Sequence, residues 1–228
     1  MDSPMADEID LALPIDIGLS RHSFWVNAQL ACKRTLDLMG ALALVGFLSP
    51  ILLLVAVAVR LSSPGPAFFR QKRWGRGSSQ FSCWKFRTMY VEQDSLVDPA
   101  TVQRLQARGV LLKPKNDPRV TPIGAFLRKA SIDELPQLFN VIAGEMSLVG
   151  PRPLMLHMLT PYPELRDARG QMRPGVTGLW QISSRENNES VLQMAPYDLA
   201  YIHGFSLWTD AKILARTPAA VLFGRGAY

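Results

Sequence analysis

The longest apolar block in the chain runs from Leu38 to Val59 as LMGALALVGFLSPILLLVAVAV, 22 residues without a charge. A transmembrane helix needs about 20 residues. Ser49-Pro50 sits at the middle of the block. Proline removes a backbone donor and crowds the preceding turn, so a sharp bend is predicted there. The serine hydroxyl is placed to serve a carbonyl freed at the break. Basic residues flank both ends: Lys33 and Arg34 before the block, then Arg60, Arg70, Lys72, Arg73 and Arg76 after it. The positive-inside rule puts both flanks on the cytoplasmic side. A helix that enters, bends at Ser49-Pro50 and leaves by the same face satisfies bend and charges together. A kinked span with residues 1–30 outside satisfies the bend alone. Asp37, three residues after Arg34, is spaced for a pair with it near the interface. The block begins too late for a cleaved leader, and no small-x-small cleavage site precedes a mature domain.

After the block, Ser62-Ser63-Pro64-Gly65-Pro66 reads as a turn-rich break. Two strand-like runs follow, around Ala67–Arg73 and Gln80–Arg87, joined by glycine and serine, which predicts a β-hairpin. Residues 91–112 read as a polar helix or mobile segment. Residues 122–145 read as helix, punctuated near Ser131 and Pro136. Residues 150–180 are rich in proline and glycine and predict loops and short helices. Residues 195–223 are amphipathic, with Tyr197, Tyr201, Phe205, Leu207 and Trp208 among polar residues. Such a stretch lies either on a membrane surface or against a core. The expected organisation is a lead-in over residues 1–30, a membrane helix over 31–61 and a cytoplasmic domain over 62–228. The fold class is mainly α with a small β-hairpin (α+β).

Composition narrows the partners. The chain has 228 residues, 48% hydrophobic and 19% charged, with a net charge of +6. A basic surface suits a polyanion: nucleic acid, anionic lipid or phosphorylated small molecules. Cys32 and Cys83 form neither a disulfide framework nor a metal motif, which fits a reducing, cytoplasmic setting. His22, His157 and His203 have no metal-ligand spacing.

Candidate chemistry lies in Ser131-Ile132-Asp133-Glu134-Leu135-Pro136. Ser131 and Glu134 match a capping box, in which the acids only start a helix. Pro136 argues for a later start, near Leu135 or Pro136. Either way the two acids stand at a helix N-terminus, where ionised carboxylates are favoured. An ionised carboxylate can attack phosphorus, or hold Mg²⁺ against phosphate oxygens. Arg128, Arg152 and Arg185 surround the pair in sequence, and arginine forks match phosphate. Lys85 and Arg87 are further candidates. Prolines on both sides of Arg152 stiffen its backbone.

These blocks in order resemble one family, the monotopic bacterial polyprenyl-phosphate phosphoglycosyl transferases (bacterial sugar transferases). The matching blocks are Lys-Arg-x-x-Asp at 33–37, Ser-Pro at 49–50, Ser-x-Gly-Pro at 63–66 and Lys-Phe-Arg-Thr-Met at 85–89. They continue with Asp-Pro-Arg-Val-Thr at 117–121, Asp-Glu-Leu-Pro-Gln at 133–137 and Met-Ser-Leu-Val-Gly-Pro-Arg-Pro at 146–153. Arg-Pro-Gly-Val-Thr-Gly-Leu-Trp-Gln at 173–181 and the terminal Gly-Ala-Tyr complete the set. The resemblance implies transfer of a sugar 1-phosphate from a nucleotide-diphosphate sugar, with UDP the expected nucleotide, to undecaprenyl phosphate. It implies Asp133 as nucleophile, Glu134 as its partner (metal ligand or base), Mg²⁺ as cofactor, and Arg128, Arg152 and Arg185 at the phosphates. It also implies a helix that re-enters the cytoplasmic leaflet of the inner membrane, broken at Ser49-Pro50, with interfacial amphipathic helices around a compact catalytic domain. The chain looks like a small, single-domain form. Nucleic acid is not an expected partner, and a homo-oligomer stays open. Two departures from the family pattern stand out, Gly-Ser-Ser at 77–79 and Ser184 before Arg185. Two rival readings are a ternary-complex transferase whose acids only bind metal, and a membrane-anchored basic lipid- or polyanion-binding protein without catalysis.

Overall fold

A computed structural model describes residues 24–91, 117–183 and 190–223. The apolar block lies inside one helix, α1 (Phe24–Ser62). It therefore starts within the expected lead-in and runs on through Ser49-Pro50 without a break in secondary structure. At 39 residues it is about 58 Å long if straight, roughly twice a bilayer's hydrocarbon core. Proline at position 50 leaves the carbonyl of Gly46, four residues back, without its helical donor. The Ser49 hydroxyl donates to that oxygen at 2.8 Å. The predicted service of the serine is thus met.

One face of α1 packs on the rest of the protein. Lys33, Asp37, Ala41, Val45, Leu48, Leu52, Val55 and Val59 recur every three or four residues, the spacing of one helical stripe, and all are buried or partly buried. The other face leaves Met39, Phe47, Leu53, Leu54 and Leu61 exposed. The expected Arg34–Asp37 pair gives way to better partners. Arg34 donates to the carbonyls of Val141 and Ile142 at 2.6 and 3.0 Å. Asp37 accepts from the Leu148 amide at 3.0 Å and lies 3.8 Å from Lys33. Lys33 also bonds Asp210, whose other oxygen takes the Tyr201 hydroxyl at 2.7 Å.

The predicted hairpin is present. β1 (Phe68–Trp74) pairs antiparallel with β2 (Gln80–Phe86), in register from Phe68↔Phe86 to Trp74↔Gln80. Strand side chains alternate between faces, so Lys85 shares the inward face of buried Phe81 and Cys83. In the connecting turn Ser78 holds a left-handed φ of 56°, and its hydroxyl bonds Asp167 at 2.6 Å. This is where the Gly-Ser-Ser departure falls.

The 122–145 stretch is divided as expected. α2 (Pro122–Lys129) is capped by Thr121, whose side chain accepts from the Gly124 amide. A 3-10 turn (Ile132–Glu134) follows, then α3 (Gln137–Ala143) with Pro136 at its N-cap. A small parallel sheet was not expected: β3 (Ser147–Val149) pairs with β4 (Gly175–Thr177). Gly150 and Gly175 permit it, since a Cβ on Gly175 would stand 2.1 Å from the Gly150 nitrogen. The proline-rich stretch supplies α4 (Leu156–Leu159), α5 (Pro163–Arg169) and α6 (Leu179–Ser183).

The amphipathic tail splits in two. α7 (Val191–His203) is core, with Val191, Met194, Ala195, Tyr201 and Ile202 buried. This corrects the interfacial expectation for that half. α8 (Leu207–Phe223) buries Ile213 but exposes Trp208 and Leu222. The expected element over 91–112 lies almost wholly outside the described residues.

Arg87 belongs to the fold. Its Nε donates to the Pro66 carbonyl at 2.7 Å. Its Nη atoms donate to the Ser63 hydroxyl and to the carbonyls of Pro64, Ser63, Val59 and Gly65. The guanidinium thus gathers the turn that follows α1, and the phosphate role expected for it is corrected: its donors are occupied by backbone oxygens. Arg87→Ala strands these buried acceptors. We expect a loss of about 3 kcal/mol, seen as a fall of roughly 6–12 °C in thermal unfolding in detergent. Arg87→Lys recovers little, because an ammonium lacks the fork.

Candidate active site

Three elements converge on the 3-10 turn: β2, α2 and the loop after β3. Ser131 enters it in the left-handed region, at φ 55°, and its side chain caps nothing. The capping-box reading therefore fails: a left-handed Ser131 cannot act as an ordinary N-cap, which needs extended backbone. The turn buries Asp133, 8% exposed, while Glu134 lies nearer the surface.

Lys85, from the end of β2, meets both acids. Its Nζ donates to Glu134 Oε1 at 2.7 Å and stands 3.8 Å from Asp133 Oδ2. Arg152, from the Pro-Arg-Pro loop after β3, approaches the same Glu134 oxygen at 3.4 Å. Its guanidinium also lies 5.6 Å from the Trp180 ring centre, within cation–π range. Arg128, in the last turn of α2, is held by Nε donation to the Thr88 hydroxyl at 2.9 Å. Thr88 in turn accepts the Thr121 amide at its carbonyl, tying α2 to the end of the hairpin.

Burial pushes the Asp133 carboxyl above the ordinary carboxylate range. Lys85 opposes this, the Glu134 charge adds to it, and Arg128 and Arg152 oppose it. Burial likewise pulls Arg128 below its usual value, with Asp133 and Asp117 opposing. Two anions and three cations thus share one partly buried space, the kind of surround that a phosphate ester's charge requires.

Of the predicted residues, the structure brings together Asp133, Glu134, Lys85, Arg128 and Arg152. It assigns Arg87 to the linker. Arg185 lies outside the described residues. Thr88, Trp180 and Asn140 were missed. Asn140 stitches α3 to β2, accepting from the Trp84 amide at 2.9 Å and donating to the Ser82 carbonyl at 2.8 Å. Thr88 lies within the Lys-Phe-Arg-Thr-Met block and Trp180 beside Gln181, so membership of a motif was their only signal.

Among the described residues no three or more His, Cys, Asp or Glu side chains gather as a metal cage. The two carboxylates of Asp133 and Glu134 are hard oxygen donors. They fit a Mg²⁺ ion that takes its remaining ligands from phosphate and water.

By length and composition one helix is apolar enough to cross a membrane, and it is joined to a body whose carboxylate pair is ringed by cations. A profile described as bacterial sugar transferase matches residues 28–224, and the chain belongs to that family. It is 44% identical to the UDP-glucose:undecaprenyl-phosphate glucose-1-phosphate transferase of Caulobacter vibrioides, over 100% of this chain and 87% of the relative. It is 40% identical to the exopolysaccharide production protein ExoY of Rhizobium meliloti, over 86% of this chain and 88% of the relative. It is 46% identical to an uncharacterized sugar transferase of Haemophilus influenzae, over 86% of this chain and 42% of the relative. The chain spans less than half the length of several of the curated relatives it matches.

The buried acid has a measurable stability signature. A carboxyl with a raised folded pKa contributes stability that is full below its unfolded value, about 4, and lost as pH rises through the folded value. Asp133→Asn removes that decline. Its thermal midpoint, scanned by differential fluorimetry from pH 4 to 8, is expected to gain on wild type as pH rises above about 4 and to level off once pH passes the folded Asp133 value. A gap between the two that does not change with pH would contradict a raised Asp133.

Proposed function

We propose that the chain transfers a sugar 1-phosphate from a UDP-sugar to undecaprenyl phosphate by two in-line displacements through Asp133. One observation carries the reading. The Asp133 carboxylate is buried among Lys85, Arg128 and Arg152, yet its closest ion-pair contact is 3.8 Å, against 2.7 Å for Glu134. Glu134 is engaged by Lys85 and Arg152 and suits a holding role, whereas Asp133 is the acid with reach.

In the first displacement an Asp133 oxygen attacks the β-phosphorus. The bond from that phosphorus to the bridging oxygen breaks, and UMP leaves with the electron pair. In the second, an oxygen of undecaprenyl phosphate attacks the same phosphorus. The Asp133–phosphorus bond breaks, the carboxylate is regenerated, and undecaprenyl diphosphate-sugar is formed. Lys85, Arg128 and Arg152 offset the charge on the phosphoryl oxygens. Asp133 and Glu134 would hold Mg²⁺, which would supply positive charge to offset that of the phosphates.

We further propose that α1 re-enters the cytoplasmic leaflet of the inner membrane around Ser49-Pro50. Cationic residues on both sides of its apolar block and packing of both halves of the helix on one body support this. The site then works at headgroup level, where the lipid phosphate is confined. The product is the first lipid-linked intermediate of an exopolysaccharide, capsule or O-antigen-type glycan. UDP-glucose, which the Caulobacter vibrioides relative is named for, and UDP-galactose, which an Erwinia amylovora relative is named for, head the donor panel.

Incubation with donor labelled at the β-phosphorus, without acceptor, should leave label on wild type and none on Asp133→Asn. UMP release by that variant should fall by roughly 10³-fold or more. UMP release that begins only when both substrates are bound would exclude the covalent route and favour direct transfer. Because Lys85 lowers the Asp133 pKa, Lys85→Gln should also move the acid limb of the kcat/KM profile to higher pH. An unmoved limb would detach Lys85 from Asp133 ionisation.

A further inference from the structure

Arg152 is held by more than its flanking prolines. Neither Pro151 nor Pro153 has a backbone N–H, so Arg152 carries the sole amide donor of that tripeptide. Against its backbone lies an ion pair between Arg169 of α5 and Asp198 of α7, at 2.7 Å. Both side chains are buried, 6% and 2% exposed. The pair reaches Arg152's backbone. Arg169 Nη2 donates to the Arg152 carbonyl, and the Arg152 amide, facing Asp198, draws that carboxyl down against the effect of burial.

Stability alone is a weak reason for such a pair. Desolvating two charges costs several kcal/mol per ion, and apolar replacements of buried pairs are often neutral or stabilising. Burial pushes the Asp198 carboxyl up and the Arg169 guanidinium down from their usual values, each opposed by its partner. That cost falls beside a residue whose guanidinium must point at Glu134 and the phosphates. Pro151 and Pro153 limit the backbone torsions, and the ion pair holds the Arg152 carbonyl through Arg169.

We propose that Asp198 and Arg169 are positioning residues that set Arg152 for the transferred phosphate, acting through its backbone and not by touching substrate. This rests on the phosphotransfer reading above. It adds two residues, from α5 and α7, that no motif in the sequence singled out.

The test is a double-mutant cycle on the full chain in detergent, following UMP release from UDP-glucose and UDP-galactose with undecaprenyl phosphate. Asp198→Asn keeps the shape and weakens the clamp. Arg169→Lys keeps the ion pair but cannot also reach the Arg152 carbonyl as a fork does. Each is expected to fold, by thermal unfolding, and to lose roughly 10- to 100-fold in kcat/KM, the scale of a misplaced positioning group. In an Arg152→Ala background the Asp198→Asn loss should shrink to within about 2-fold, because the pair then has nothing to position. A folded Asp198→Asn or Arg169→Lys with wild-type kcat/KM overturns the proposal. So does a loss that is undiminished when Arg152 is absent, or loss of the fold in both variants, which assigns the pair to architecture. Asp133→Asn runs alongside as a control. If it keeps turnover, the covalent reading fails, while the cycle still reports whether Asp198 acts through Arg152.

Discussion

A carboxylate buried at Asp133 is the constraint that the rest of the site serves. A buried charge is tolerated only when opposite charge is brought to it. Here the cations come from three separate elements: Lys85 from the hairpin, Arg128 from α2, and Arg152 from the loop after β3. Each must be aimed by its own support. β2 aims Lys85 by strand parity, Thr88 holds Arg128 at Nε, and the Arg169–Asp198 pair grips Arg152. The hairpin, the helix pair around the acidic turn and the small parallel sheet are therefore coupled through one charge balance. They are not independent packing units.

α1 belongs to the same system. Its buried stripe makes one wall of the body, and its polar residues reach specific acceptors there. Arg34 caps the carbonyl end of α3, the helix that the acidic turn feeds, where a cation also meets the negative end of the helix dipole. Asp37 holds the Leu148 amide in β3, two residues before Gly150 and the Arg152 loop. An apolar anchor thus fixes both the acid and the cation sides of the site. Its outer face leaves Met39, Phe47, Leu53 and Leu54 exposed, the apolar surface that the proposed membrane insertion would cover.

Much of this was legible in the chain. The apolar run, the turn-rich break, the hairpin and the punctuation at Ser131 and Pro136 all follow from local pattern and backbone chemistry. So does the Ser49 hydroxyl, because proline at 50 names the carbonyl that lacks a donor. What local pattern could not supply were long-range pairings. β3 and β4 are three residues each and 25 residues apart, too short to carry a period. Arg87 read like a phosphate ligand because its sequence neighbours Lys85 and Thr88 serve the acidic site; its actual partners sit more than 20 residues upstream. Asp198 and Arg169 belong to no motif, and only the docking of α7 on α5 buries them together. The tail looked uniformly amphipathic because core and surface stripes have the same period, so composition could not separate α7 from α8.

The adjacency of Asp133 and Glu134 finds its physical sense in Ser131. A serine at φ 55° is an uncommon state for a residue with a Cβ. It ends the run of α2 abruptly and starts a 3-10 turn in place of the capped helix that the motif would otherwise make. In a tight turn, consecutive side chains point well apart. One acid is driven inward, toward desolvation, while its neighbour stays where Lys85 and Arg152 can hold it. Had Ser131 capped the helix, both acids would have faced the first turn and its amides, which stabilise a carboxylate and lower its basicity. The strained serine therefore separates two chemically identical groups into a buried, more basic Asp133 and a tethered Glu134. That difference is what the proposed roles of attacking carboxylate and holding partner require.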